Sequence, residues 1–148
     1  MQIWVDADAC PRAIKEILFR AAERVRIPLT LVANKLLHTP RSEYVKAIRV
    51  PRGFDQADNR IVESMQPGDL VVTADVPLAA DVVNAGGHAL DPRGKLFTED
   101  NIQECLALRD LADQLRSSGV DTGGPPPLGK SDRQAFANQL DQLLSRLC

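Results

Sequence analysis

The chain has 148 residues, of which 44% are hydrophobic and 26% charged, with a formal net charge of −2. This length suits a single domain, 1–148, with a proper core; no apolar run is long enough to span a bilayer, and MQIWVDAD lacks the basic start of a secretory leader. Three cysteines without CxxC spacing (Cys10, Cys105, Cys148) argue against a disulfide framework or a zinc knuckle and for a reducing compartment, so a cytoplasmic location away from membranes is expected.

In chain order, QIWVD (2–6) reads as a short buried strand. Pro11 opens a helix on which Ala13, Ile14, Ile17, Leu18, Ala21 and Val25 recur at helical spacing. Pro28 breaks it, and LTLVA (29–33) is a second strand. Residues 34–44 read as a loop and VKAIRV (45–50) as a third strand. A helix follows from about Asp55 to Met65, then a Pro67-Gly68-Asp69 turn and the strand LVVTA (70–74). Pro77 opens the next helix, which ends at Gly86-Gly87. HALD (88–91) is a fifth strand. Thr98 is the expected cap of a long helix marked by Ile102, Cys105, Leu106, Leu111 and Leu115. After the Gly/Pro-rich loop 119–130, Ser131 and Gln134 read as a capping box for a last helix lined by Phe136, Leu140, Leu143, Leu144 and Leu147. This alternation predicts an α/β fold: a doubly wound, mainly parallel sheet of about five strands with helices on both faces, plus a C-terminal helix.

Ligands on such sheets bind beyond the strand carboxyl ends, and the acids fall there. Asp6 ends the first strand and Asp75 follows the fourth. Asp58 precedes Ile61 and Val62 by three and four residues, which puts it on the buried face of its helix, near the N-terminus. Like charges so close need compensation, and Mg²⁺ or Mn²⁺ supplies it through oxygen ligands. Asp6, Asp58 and Asp75 are the expected ligands, with Asp55 as a further one and Asp8 as an outer ligand or water-positioning group. Asp8 and Asp75 read equally well as helix caps, and Asp55 as a residue favoured by the helix dipole. Asp91, before Pro92, reads first as a turn residue. Cys10 reads as a small core residue rather than a nucleophile.

The charge is uneven along the chain. Residues 1–60 carry 11 Lys/Arg against 7 Asp/Glu, and residues 61–148 carry 7 against 13. A basic rim around an acidic cluster suits a phosphate-bearing polymer. Arg52 and Arg60 are the expected phosphate contacts, joined by Lys130 and Arg133 at the start of the last helix.

The segments V-D-A-D-A-C-P (5–11), R-G-F-D-Q-A-D-N-R-I (52–61), D-L-V-V-T-A-D-V-P-L-A (69–79), T-G-G-P (122–125) and K-S-D-R-Q-A-F (130–136) together resemble the YaiI/YqxD family of small bacterial proteins, which has no established function. The typical late segment has one proline followed by an aromatic, and Pro125-Pro126-Pro127-Leu128 departs from it. More remotely the pattern is similar to the PIN-like nuclease superfamily. That resemblance implies a PIN-like fold and a Mg²⁺- or Mn²⁺-dependent ribonuclease, with Asp6 as the first acid, Asp58 or else Asp55 as the helical acid, and Asp75 as the fourth-strand acid.

Two other readings stay open. D-A-D-A (6–9) resembles the D-x-D start of haloacid-dehalogenase-type phosphatases, with Asp6 as nucleophile, Asp8 as general acid and Thr73 as the strand-end hydroxyl. Lys95 and Glu99-Asp100 fit the rest of that pattern poorly. The third reading is a non-catalytic module that binds RNA or a protein, with the acids as caps or as a structural metal site.

Overall fold

The computed structural model describes residues 1–53, 55–120 and 126–147. Phe54, the T-G-G-P segment and Cys148 lie outside the described residues. In chain order the elements are β1 (Ile3–Asp6), a 3-10 turn (Ala7–Ala9), α1 (Arg12–Val25), β2 (Leu29–Ala33), β3 (Val45–Arg49), α2 (Gln56–Ser64), β4 (Leu70–Val72), α3 (Val76–Asn84), β5 (His88–Leu90), β6 (Leu96–Phe97), α4 (Ile102–Ser117) and α5 (Lys130–Leu147).

The strands form one six-stranded sheet in the order β3-β2-β1-β4-β5-β6. All neighbours are parallel except β5 and β6. The expected α/β architecture is therefore present, with one strand more than the sequence pattern indicated. β6 has two residues, too few to display alternation, and it follows the tight Asp91–Gly94 turn. From β1 the chain winds outward through β2 to β3, then returns to the other side of β1 for β4 and β5. This reversal opens a crevice between the carboxyl ends of β1 and β4.

Strand pleating divides the core into two layers. Ile3, Val5, Leu29, Leu31, Leu70 and Val72 face α1 and α5, where they meet Ile14, Leu18, Phe136, Leu140 and Leu143. Trp4, Val32 and Val71 face α2, α3 and α4, against Ile61, Leu78, Val82, Ile102 and Cys105. Asp6 shares the side of Trp4, so its carboxylate points toward α2 and α3. The β2–β3 connection is parallel yet has no helix; residues 34–44 cross as a loop that packs Leu37 and Tyr44 onto the α1 layer.

α1 ends where expected, before Pro28, with Arg26 in the left-handed conformation. The starts of the last two helices differ from expectation. α4 begins at Ile102 rather than directly after Thr98. Thr98 and Asn101 instead form a reciprocal capping pair one turn earlier, with Thr98 N–H donating to Asn101 Oδ1 (2.8 Å) and Asn101 N–H donating to Thr98 Oγ1 (3.2 Å). Ile102 and Cys105 are buried, whereas Leu111 and Leu115 are exposed, so only the first turns of α4 pack on the sheet. α5 starts at Lys130, one residue before the expected cap, and Asp132 rather than Ser131 ties the first turn by accepting from Gly129 N–H (3.0 Å). Among the described residues, no helix is long and apolar enough to cross a membrane.

Candidate functional site

The carboxyl end of β1 carries the buried Asp6. Thr73, just after β4, donates its hydroxyl to Asp6 Oδ2 (3.0 Å), and Thr73 Oγ1 in turn accepts from Asp75 N–H (3.0 Å). One threonine thus ties the ends of β1 and β4 across the crevice. Asp75 caps α3, its Oδ1 accepting from Leu78 N–H (3.1 Å), and Pro77 in the first turn helps to fix that start. The capping expectation for Asp75 holds, and its second carboxylate oxygen is left for other partners.

Asp58 comes from the first turn of α2 and stands half-buried, one turn before the buried Ile61. Its carboxyl is pushed up to about 7, first by burial, then by the charges of Asp75 and Asp6, a hydrogen bond shared with Asp75, and the charge of Asp55. The Asp6 carboxyl is also raised, mainly by burial; the Thr73 hydroxyl opposes that rise, while Asp75 and Asp8 add to it. Asp6, Asp58 and Asp75 are therefore close enough to perturb one another, with Asp8 and Asp55 at the margin.

Asp8 does not cap α1. Its Oδ2 accepts from Asn34 N–H (2.8 Å), which pins the 3-10 turn to the end of β2, while α1 begins after Pro11 with no side-chain cap. Asp55 precedes α2 in the left-handed conformation (φ 62°, ψ 14°) instead of forming part of its first turn. Asp8, Asp55 and Asp58 line one small hollow of about 90 Å³ with Asn34 and Gly53. Arg52 is exposed beside that hollow. Arg60 is exposed and stands about 200° around α2 from Asp58, so the fold does not turn both toward the cluster. Lys130 and Arg133 are elsewhere, in a groove between α1 and α5.

The donor set is all carboxylate oxygen, and its members repel one another. That suits a hard divalent cation in type and charge. The fit is one of charge rather than preset geometry: among the described residues, no three His, Cys, Asp or Glu side chains already stand as a ligand group.

Other expected residues have structural roles. Asp91 accepts from Arg93 N–H (2.6 Å) in the β5–β6 turn, and burial raises its carboxyl. Cys10 is a buried free thiol whose pKa burial pushes up to about 12, which suits a core residue. Cys105 is likewise free and buried. Leu128 packs on the α1–α5 layer, where the departing late segment places it.

Three residues were harder to find from the sequence. Thr73 has a signal in its T-x-D spacing before Pro77. Asn34 has none, because its partner Asp8 belongs to a different strand end. Asp69 reads only as a turn residue, yet its buried carboxylate accepts from Gln2 N–H (3.0 Å), Trp4 Nε1–H (3.1 Å) and Gln66 N–H (2.9 Å) at the opposite end of the sheet.

Comparisons with known proteins place the chain within a family. The "Uncharacterized BCR, YaiI/YqxD family" matches residues 4–146. The chain is 63% identical to a UPF0178 protein of Janthinobacterium sp. (strain Marseille) over 146 residues, covering 99% of this chain and 97% of the relative. It is also 63% identical to UPF0178 protein AZOSEA36080 of Aromatoleum aromaticum, covering 99% and 98%, and 60% identical to UPF0178 protein HEAR0259 of Herminiimonas arsenicoxydans, covering 99% and 98%. No solved structure matches significantly. With a match over nearly its whole length, the chain belongs to the YaiI/YqxD family.

Proposed function

We propose that the protein is a Mg²⁺- or Mn²⁺-dependent phosphodiester hydrolase acting on RNA, with its centre at the ends of β1 and β4. The observation that carries this reading is the crowding of Asp6, Asp58 and Asp75 in a partly buried site: burial first, and then the charges of Asp75 and Asp6, raise Asp58 to about 7. Carboxylates held together at that cost find their natural partner in a divalent cation. A bound cation would neutralise their charge and activate a water for in-line attack on phosphorus.

Each residue then has a defined task. Asp6, Asp58 and Asp75 hold the ion, with Asp55 as an added ligand. Thr73 fixes the orientation of Asp6. Asp8, fixed by Asn34, positions water. Arg52 contacts phosphate beside the acidic hollow, whereas the placement of Arg60 lends its assignment less support. The remote likeness to PIN-like nucleases adds to this reading through the same three acids.

The phosphatase reading draws less support. Lys95, the lysine that chemistry would use, acts on Asp91 and is not among the charges that move Asp6. The non-catalytic reading differs in predicting metal or RNA binding without turnover.

Titration calorimetry with Mn²⁺ on the wild type, Asp6→Asn and Asp58→Asn, followed by RNA cleavage assays in Mn²⁺ and in EDTA, tests the proposal. Binding that is lost in both variants, together with metal-dependent cleavage, is the expected outcome. Metal binding indifferent to both substitutions, or no cleavage of any RNA tried, would remove the hydrolase reading.

A further inference from the structure

A groove of about 520 Å³ runs between α1 and α5. Arg20 from α1 and Lys130 and Arg133 from α5 line it, interleaved with Ala13, Ile17 and Ala137. The acid at this groove, Glu16, is paired with Arg12 (3.5 Å). Among the described residues, none of the three groove cations makes an ion pair. Three cations on the walls of one groove, in no ion pair among the described residues, repel one another, and an external polyanion relieves that repulsion.

The groove also leads somewhere. A cavity of about 250 Å³ is lined by Ala9, Pro11, Ala74 and Leu128 together with the opposed charges of Asp91 and Arg93. Ala74 lies between Thr73 and Asp75, so one wall of this cavity is the edge of the carboxylate cluster. Pro11 stands two residues before Ala13, and Leu128 two before Lys130, so cavity and groove adjoin along both walls.

We propose that the α1–α5 groove binds the phosphate backbone of a single nucleic-acid strand and delivers that strand to the carboxylate cluster. The proposal rests on the hydrolase reading above for the identity of the far end; the binding itself does not depend on it. The cavity at the end of the groove, about 250 Å³, has no room for a duplex, so an extended strand is the form that fits this path. Among the described residues no aromatic side chain lines the groove, so contacts go to phosphates rather than to stacked bases, and binding is largely independent of sequence.

The test is fluorescence anisotropy with a labelled 12-nucleotide oligouridylate in EDTA across a salt series. Its deoxy counterpart and a blunt RNA duplex serve as competitors. The wild type is expected to bind the two single strands alike and the duplex at least tenfold more weakly. Arg20→Glu/Arg133→Glu should weaken binding at least tenfold and reduce the salt slope by about 1.4, at roughly 0.7 per lost single-strand phosphate contact. Arg109→Glu/Arg146→Glu makes the same charge change on α4 and the last turn of α5, away from the groove, and should leave both quantities unchanged. Arg20→Gln/Arg133→Gln keeps the test available if the charge reversal impairs folding, which circular dichroism reads.

Absence of binding by the wild type would overturn the proposal. So would equal losses in the groove and control pairs, or a duplex that binds as well as the single strands. Because EDTA blocks metal-dependent turnover, failure of the hydrolase reading shows instead as lost cleavage or lost Mn²⁺ binding with oligonucleotide affinity intact.

Discussion

Asp58 carries the largest electrostatic burden at the site, and its pH response has a defined sign. Its folded pKa of about 7 lies above the ordinary 3.8, so between those values the native state holds more protons than the unfolded chain. Its contribution to stability is fully present at low pH and is lost as pH rises through about 7. In EDTA, Asp58→Asn should therefore gain stability over the wild type on going from pH 4.5 to 7.5, by about 1 kcal/mol after allowing for solvent screening of a half-exposed group. Urea unfolding at the two pH values measures this, and a difference that stays constant would contradict the crowding. Thr73 is the positioning residue for Asp6: Thr73→Val removes the hydroxyl that ties Asp6 to Asp75 N–H. Mn²⁺ affinity in calorimetry is expected to fall about tenfold, with the fold intact by circular dichroism. Asp69 is a contrasting acid, since its three N–H donors make it a structural one. Asp69→Ala should cost about 3 kcal/mol in urea unfolding and leave Mn²⁺ affinity unchanged.

Among the elements, α5 is seated by the β5–β6 turn as well as by its buried apolar face. Gly94 has φ +95°, and a Cβ added there would lie 2.7 Å from the Ala135 carbonyl carbon. The β5–β6 turn thus lies directly against the α5 backbone. Arg93, from the same turn, pairs with Asp132 (2.8 Å) and donates to the Pro126 carbonyl, fastening the start of α5 to the turn. Gly94→Ala combines backbone strain with a clash against main chain, which cannot give way as a flexible side chain would. We expect a loss of about 2–3 kcal/mol in thermal or urea unfolding, and weaker oligonucleotide binding, because the α1–α5 groove loses its alignment. Stability equal to the wild type would mean that α5 seats itself independently of the turn. β3 shows how an edge is kept open to solvent: Lys46 and Arg49 are exposed on it, which discourages edge-to-edge pairing with another chain.

For the molecule as a whole, the sheet order gathers the acids at one edge of the sheet. The turn back at β1 brings Asp6 beside the Thr73–Asp75 segment, and the α2 connection lowers Asp58 onto them. A cation that binds only this folded arrangement stabilises it by linkage, so Mn²⁺ should raise the melting temperature of the wild type in a concentration-dependent way. The shift should vanish in Asp6→Asn and persist in Arg20→Glu/Arg133→Glu, which separates the proposed metal centre from the groove. A Mn²⁺ shift that survives Asp6→Asn would place the ion elsewhere.

The α/β class, most element positions and the cluster-forming acids Asp6, Asp58 and Asp75 were legible in the sequence, because they depend on local patterns. Apolar runs mark strands, helical spacing marks the buried faces of α1 and α5, and an acid just past a strand or on an apolar helix face is conspicuous wherever the element goes. The Asp8–Asn34 bond, the seat of Asp69 under Trp4 and the joining of α1 with α5 into a basic groove were not legible. Each depends on which elements become neighbours: parallel pairing puts Val32 opposite Asp6 and so brings the end of β2 to Asp8, and α5 reaches α1 only after the chain has completed the sheet. Adjacency of that kind is set by long-range packing and by the hand of the crossovers, which leave no short-range mark on the chain.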